Sequence, residues 1–202
     1  TSATDSYNVA VGYDAGASVT TGQQNTFLGS LSGDAITDAD FNTAVGYAAL
    51  SSDTLGAQNT AVGYVALLSQ NFSSSLTSYN VAVGSQAGRL VTTGVRNTIV
   101  GALAGDAISD ADFNTVLGFN ALTNNTVGSK SVAIGAETLH SQNPASATDM
   151  FNIAVGHQAG YAMTTGVQNV IIGGLAGDAL TTANENVAIG TTALSADTQG
   201  TR

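Results

Sequence analysis

The chain has 202 residues, 43% hydrophobic and only 9% charged, a balance that suits an ordered protein and not a charge-solvated disordered one. Its formal charge of -10, from four Lys and Arg against fourteen Asp and Glu, repels phosphate backbones and anionic membrane faces, so nucleic acid is not an expected partner. Zero Cys excludes disulfides and Cys-ligated metals, and no apolar run is long enough to insert into a membrane.

From the first residues onward the chain is periodic. The frame Asn-x-x-x-Gly recurs from Asn8-Gly12 through Asn25-Gly29, Asn42-Gly46, Asn59-Gly63, Asn80-Gly84, Asn97-Gly101 and Asn114-Gly118, then at Ser131-Gly135, Asn152-Gly156, Asn169-Gly173 and Asn186-Gly190. The spacing runs 17, 17, 17, 21 and repeats, which superposes a four-coil period of 72 residues. Seventeen residues cannot hold a βαβ unit but can hold short strands and turns. The spacing therefore predicts an all-β, parallel β-solenoid (β-roll) of about eleven coils, one domain over 1–202, about 50 Å long at one strand spacing per coil. Thr1 falls in mid-pattern, so the chain is expected to be an excerpt of a longer fibre.

Each unit opens with a five-residue strand such as Asn8-Val9-Ala10-Val11-Gly12. The aliphatic residues on either side of the middle one, ending with Val11, Leu28, Val45 and their equivalents, are expected to face inward. The middle column, Ala10, Phe27, Ala44, Ala61, Ala82, Ile99 and onward, would then form an outward apolar stripe that needs a cover. The closing Gly of all eleven units implies a sharp bend or a contact too close for a Cβ. Asn8, Asn25, Asn42, Asn59, Asn80, Asn97, Asn114, Asn152, Asn169 and Asn186 are expected to stack as an amide ladder. Four residues after the closing Gly, glycines and leucines alternate in pairs: Gly16, Gly33, Leu50, Leu67 and so on.

The four extra residues of each long coil fall in 68–79 and 140–151, with Thr1 to Tyr7 as the tail of a third. Their Ser, Asn and Thr content reads as loops projecting from the rod.

Among polar residues, Asp34, Asp38 and Asp40 recur as Asp106, Asp110 and Asp112, while the third copy reads Asp178, Thr182 and Asn184. Several carboxylates on one turn suit a hard cation such as calcium; the alternative is a solvated, turn-forming acidic loop. No other cofactor is implied. His140 and His157 lie on different coils, and Gly173 to Gly177 sits in the solenoid frame with no helix to follow, so neither a triad nor a phosphate loop is expected. Thr20-Thr21 and its copies occur on one coil in four, too rarely for an ice-binding face. Tyr13, Tyr47, Tyr64 and Phe119, each just after a closing Gly, suit either a sugar-stacking stripe or a covered seam.

The segments Ser131 to Ala136, Asn186 to Gly190 and Asn42 to Tyr47 resemble the head repeats of trimeric autotransporter adhesins. The form Asn-Thr-Ala-Val-Gly-Tyr-x-Ala-Leu, at Asn42 to Leu50 and Asn59 to Leu67, is even more similar to repeats of phage tail fibres. The resemblance covers nearly the whole chain and implies a left-handed parallel β-roll, a homotrimer sharing an apolar interface, and an extracellular place on a virion tail or bacterial cell surface. It implies a non-enzymatic, structural and adhesive fibre segment that contacts a cell-surface receptor or glycan. The alternatives are the head of a bacterial adhesin and a polysaccharide-cleaving tailspike, which would need two carboxylates in a sugar-shaped cleft.

Overall fold

A computed structural model describes residues 5–200. Among them the only regular elements are strands. Eleven three-residue strands, from Val9–Val11 to Val187–Ile189, form one parallel sheet in which each strand pairs with the next coil's equivalent. The register is like over like: Thr43 on Thr60, Ala44 on Ala61, Val45 on Val62. Across a long coil it holds as well, with Thr60 on Val81 and Val62 on Val83. The expected solenoid and its seventeen-residue winding are therefore present.

The facing of the strands reverses the expectation. The middle residue of each strand points in: Phe27, Ala44, Ala61, Ala82, Ile99 and Val116 are all 0% exposed. The last residue points out, with Leu28 48% and Leu117 46% exposed. The cause is the Asn that precedes the strand. Its amide is buried among backbone groups, and side chains alternate along a strand, so a buried Asn forces the second residue after it inward and the first and third outward.

Two further columns complete the interior. Where the residue four past the closing Gly is glycine, the space is taken by larger neighbours: a Cβ on Gly33 would lie 2.3 Å from the Phe27 ring, and one on Gly105 2.8 Å from Ile108. Where it is leucine (Leu50, Leu67, Leu122, Leu139), the inner residue three further on turns polar, as Asp53, Gln70, Asn125 and Gln142. The core thus alternates between apolar double coils and double coils that carry a buried polar layer.

The closing glycines satisfy both reasons foreseen for them. Gly46 has φ 130°, and a Cβ there would meet the carbonyl oxygen of Gly63 at 2.4 Å. No other residue fits that backbone-on-backbone column. The corner four residues on is left-handed whether or not glycine fills it: Gly33 has φ 55°, and Leu50, Leu67, Leu122 and Leu139 have φ between 47° and 55°. Each leucine there costs about 1–2 kcal/mol locally and is held by the packing around it.

The segments expected to project are mostly wound into the rod. Leu76–Thr77 pairs with Gly56–Ala57, and Thr148–Asp149 with Gly128–Ser129. Phe72 and Met150 are buried beneath these segments, which leaves Ser73–Leu76 and Ala145–Ala147 exposed. The start of the third such stretch, before Asp5, lies outside the described residues.

Candidate functional site

The Asn column forms a ladder, and its role is structural. Each Oδ1 accepts the backbone N–H of the next Asn, as from Asn25 to Asn8 (2.8 Å), Asn42 to Asn25 (2.8 Å) and Asn59 to Asn42 (2.9 Å). On most coils the Nδ2 donates to the carbonyl fourteen residues on, as from Asn8 to Gly22 (2.7 Å), Asn97 to Ala111 (2.8 Å) and Asn152 to Gly166 (2.7 Å); the exceptions are Asn59, at the start of a long coil, whose buried Nδ2 has no protein partner, and Asn186, which bonds the Asn184 carbonyl (3.0 Å). One amide thus closes its own coil and holds the next. Ser131 accepts no such bond from Asn152; its hydroxyl instead accepts from Gln142 Nε2 at 3.0 Å.

The acidic turns separate by function. Asp40 Oδ1 accepts the Gln23 N–H (2.7 Å) and Asp112 Oδ1 the Val95 N–H (2.8 Å); in the third copy Asn184 Oδ1 accepts the Val167 N–H (2.8 Å). An amide replaces the carboxylate without loss because the task is to accept one backbone proton. Asp38 and Asp110 are exposed and take their neighbours' hydroxyls, Thr37 (3.3 Å) and Ser109 (3.1 Å). Asp106 accepts from Thr123 Oγ1 and faces the Arg89 guanidinium at 3.8 Å. Asp34 keeps one buried oxygen without a protein partner, and burial raises its carboxyl above the usual range. The six carboxylates do not converge: no three Asp, Glu, His or Cys side chains among the described residues form a set that could hold a metal ion.

Asp38 and Asp40 line a cavity of ≈ 220 Å³ with Leu55, Ser75, Leu76 and Thr77. Asp40 is committed there to the Gln23 amide, and Asp38, which takes the Thr37 hydroxyl, is the exposed carboxylate of the pair. His140 stacks on Tyr161 with centroids 4.7 Å apart, and His157 is exposed on another coil.

A buried polar layer escaped the sequence reading. Asp53 is fully buried, with Oδ2 accepting from Gln70 Nε2 (2.6 Å) and Oδ1 from the Gly56 N–H (2.9 Å). Gln70 Oε1 in turn accepts from Asn80 Nδ2 (2.8 Å). Burial pushes the Asp53 carboxyl up, against the lowering effect of those bonds. The second copy has Asn125 and Gln142 in the same places, with Asn125 bonding both the N–H (3.1 Å) and the carbonyl (2.7 Å) of Gly128. The signal was present in the sequence, because polar residues occupy this column only where leucine occupies the corner.

On the outside, the first and last strand residues form two columns of Thr, Val, Leu and Ile with no charged residue on any of the eleven coils. Aromatic residues border them on one side: Tyr47 and Tyr64, 51% and 55% exposed, stack at 5.7 Å. In a chain of net charge -10, a charge-free band along the rod is the largest departure from an ordinary soluble surface. Comparison with protein-family models, with curated proteins and with solved structures finds no match.

Proposed function

We propose that this chain is a stiff structural segment of an extracellular fibre, three copies of which pack side by side along the charge-free band. The observation that carries the reading is the outward aliphatic column, Val11 through Ile189, present on every coil and uncharged throughout. A continuous apolar strip on a rod gains most by facing copies of itself, since like columns meet over the full length. The repeat's similarity to phage tail fibres, strongest at Asn42 to Leu50, supports a virion tail ahead of a bacterial adhesin head. The commitment of Asp40 to a backbone amide argues against a polysaccharide-cleaving site at the cavity lined by Asp38 and Asp40.

Sedimentation of the chain tests the assembly. The wild type is expected at three times 20.0 kDa, and Val100→Lys, a partly exposed outward position in the middle of the rod, is expected as a monomer with its β spectrum intact. A wild-type monomer at micromolar concentration would remove the reading.

A further inference from the structure

The corner just before each Asn carries a pattern that the fold does not require. Tyr7, Phe41, Tyr79, Phe113 and Phe151 stand there on every second coil, 70%, 48%, 51%, 46% and 49% exposed. Between them come Gln24, Gln58, Arg96, Lys130 and Gln168. Every one of these residues has φ between 50° and 62°, a conformation that Asn or Gly adopts at less cost than a bulky ring. Exposed rings in a strained corner, alternating over the first ten coils and across both insertions until Glu185 breaks the pattern on the eleventh, gain nothing from the interior. The column is held straight by backbone bonds to the preceding coil, as from the Phe41 N–H to the Gln23 carbonyl (3.0 Å) and the Phe113 N–H to the Val95 carbonyl (3.1 Å).

We propose that this ridge is a binding track for an extended, β-1,4-linked polysaccharide chain lying along the rod. Rings two coils apart are about 9.6 Å apart at the usual strand spacing. That distance is close to the repeat of two sugars in such a chain, where successive residues turn over and the same face returns at every second one. Aromatic faces accept the apolar C–H face of a sugar ring, and the interposed amides and cations lie one coil away, where they meet the hydroxyls of the intervening sugar. Charge agrees with the choice of occupant. The first ten ridge positions hold no carboxylate, and Glu185 takes the eleventh; the cations of Arg96 and Lys130 lie over the rings of Phe113 and Phe151, each 5.2 Å from the centroid, and Lys130 also pairs with Asp149. Ring faces and amides dominate the ridge, which suits a hydroxyl-rich polymer better than a polyion. The track needs the rod but not its association in threes.

The test is titration calorimetry of the chain with β-1,4-linked oligomers of glucose and of N-acetylglucosamine, four to eight sugars long, and with the α-1,4-linked glucose oligomers as control. Affinity for at least one β-linked series is expected to rise with every second sugar added, and the α-linked series to bind more weakly. Tyr79→Asn and Phe113→Asn, which suit the left-handed corner and keep the fold, should each weaken binding about fivefold to tenfold. Tyr47→Ser and Tyr64→Ser, on the other border of the band, should leave it unchanged. No binding at millimolar sugar, equal binding of the α-linked control, or loss only with the Tyr47 and Tyr64 variants would overturn the proposal. So would ridge variants that change the sedimentation mass and not the sugar affinity, because the ridge would then be a seam between copies. A monomer that binds the sugar keeps the track and removes the assembly; a trimer that does not bind does the reverse.

Discussion

The two kinds of double coil inside this rod perform the same task with different materials. In the apolar pairs, Phe27, Ile99 or Ile171 reaches over corner glycines and meets Ile36, Ile108 or Leu180, so the layer is held by packing alone. In the polar pairs, leucines fill the corners and a short hydrogen-bonded chain, Asp53 to Gln70 to Asn80 or Asn125 to Gln142 to Asn152, fills the remaining space. Dispersion tolerates a lateral slip of one residue poorly, and a buried amide chain tolerates it less, because every displaced donor is left unpaired. The polar layers, recurring once in every 72 residues, mark the register at the coils where the four extra residues enter.

Substitutions can break that contrast in a graded way. The largest effect is expected from Gln70→Leu, which strands the buried Asp53 carboxylate and the Asn80 amide; it should lower stability by about 3 kcal/mol or more at neutral pH. The loss should shrink in acid, where Asp53 takes up a proton, and denaturant melts at two pH values check both statements. Ile99→Ala in an apolar layer leaves a cavity beside Gly88 and Gly105 and should cost about 2–5 kcal/mol with no such pH dependence.

Smaller effects should follow from exchanging the two polar layers. Asp53→Asn makes the first layer a copy of the second and should gain about 1 kcal/mol at neutral pH. The sign follows from burial, which raises the folded carboxyl above the usual carboxylate range. The native state then holds its proton more tightly than the unfolded chain, so the contribution of Asp53 is fully present below the unfolded value and is lost as pH rises through the folded one. Melting temperatures of wild type and Asp53→Asn should therefore converge in acid and diverge toward neutrality. The reciprocal change, Asn125→Asp, should lose about the same amount, less whatever relief the Gly128 N–H provides.

Much of the winding was legible because a solenoid writes its period directly into the chain. The Asn and Gly columns gave the coil count, the parallel register and the ladder, since each identity at fixed spacing has one backbone job. The facing was not legible from hydrophobicity, for Val11 and its equivalents are more apolar than Ala10, Ala44 or Ala61 and yet lie outside. What decided it was the buried Asn one step earlier, together with variation in size: a middle column running Ala, Phe, Ala, Ala, Ala, Ile has to be compensated by neighbours, which is the mark of an interior. The long coils misled for a similar reason. Their Ser and Asn content outweighed Phe72 and Met150, the two side chains that dock them. The left-handed corners were invisible because Leu, Gln and Phe occupy places where glycine is the usual sign. Of the acidic residues, the equivalence of Asp40, Asp112 and Asn184 was already in the sequence, and it separates a backbone acceptor from a charge.

The claim beneath all of this is that like residues stack on like, even where a long coil makes the separation 21 instead of 17. Since the chain has no Cys of its own, engineered pairs report on it cleanly. Val62→Cys with Val83→Cys, partners across the long coil, should form an intramolecular disulfide under mild oxidation with the fold retained, because parallel neighbours lie within bridging distance. Val62→Cys with Tyr79→Cys, at the short spacing, should not. Closure of the second pair and not the first, measured by mass spectrometry of the oxidised monomer chain, would contradict the winding.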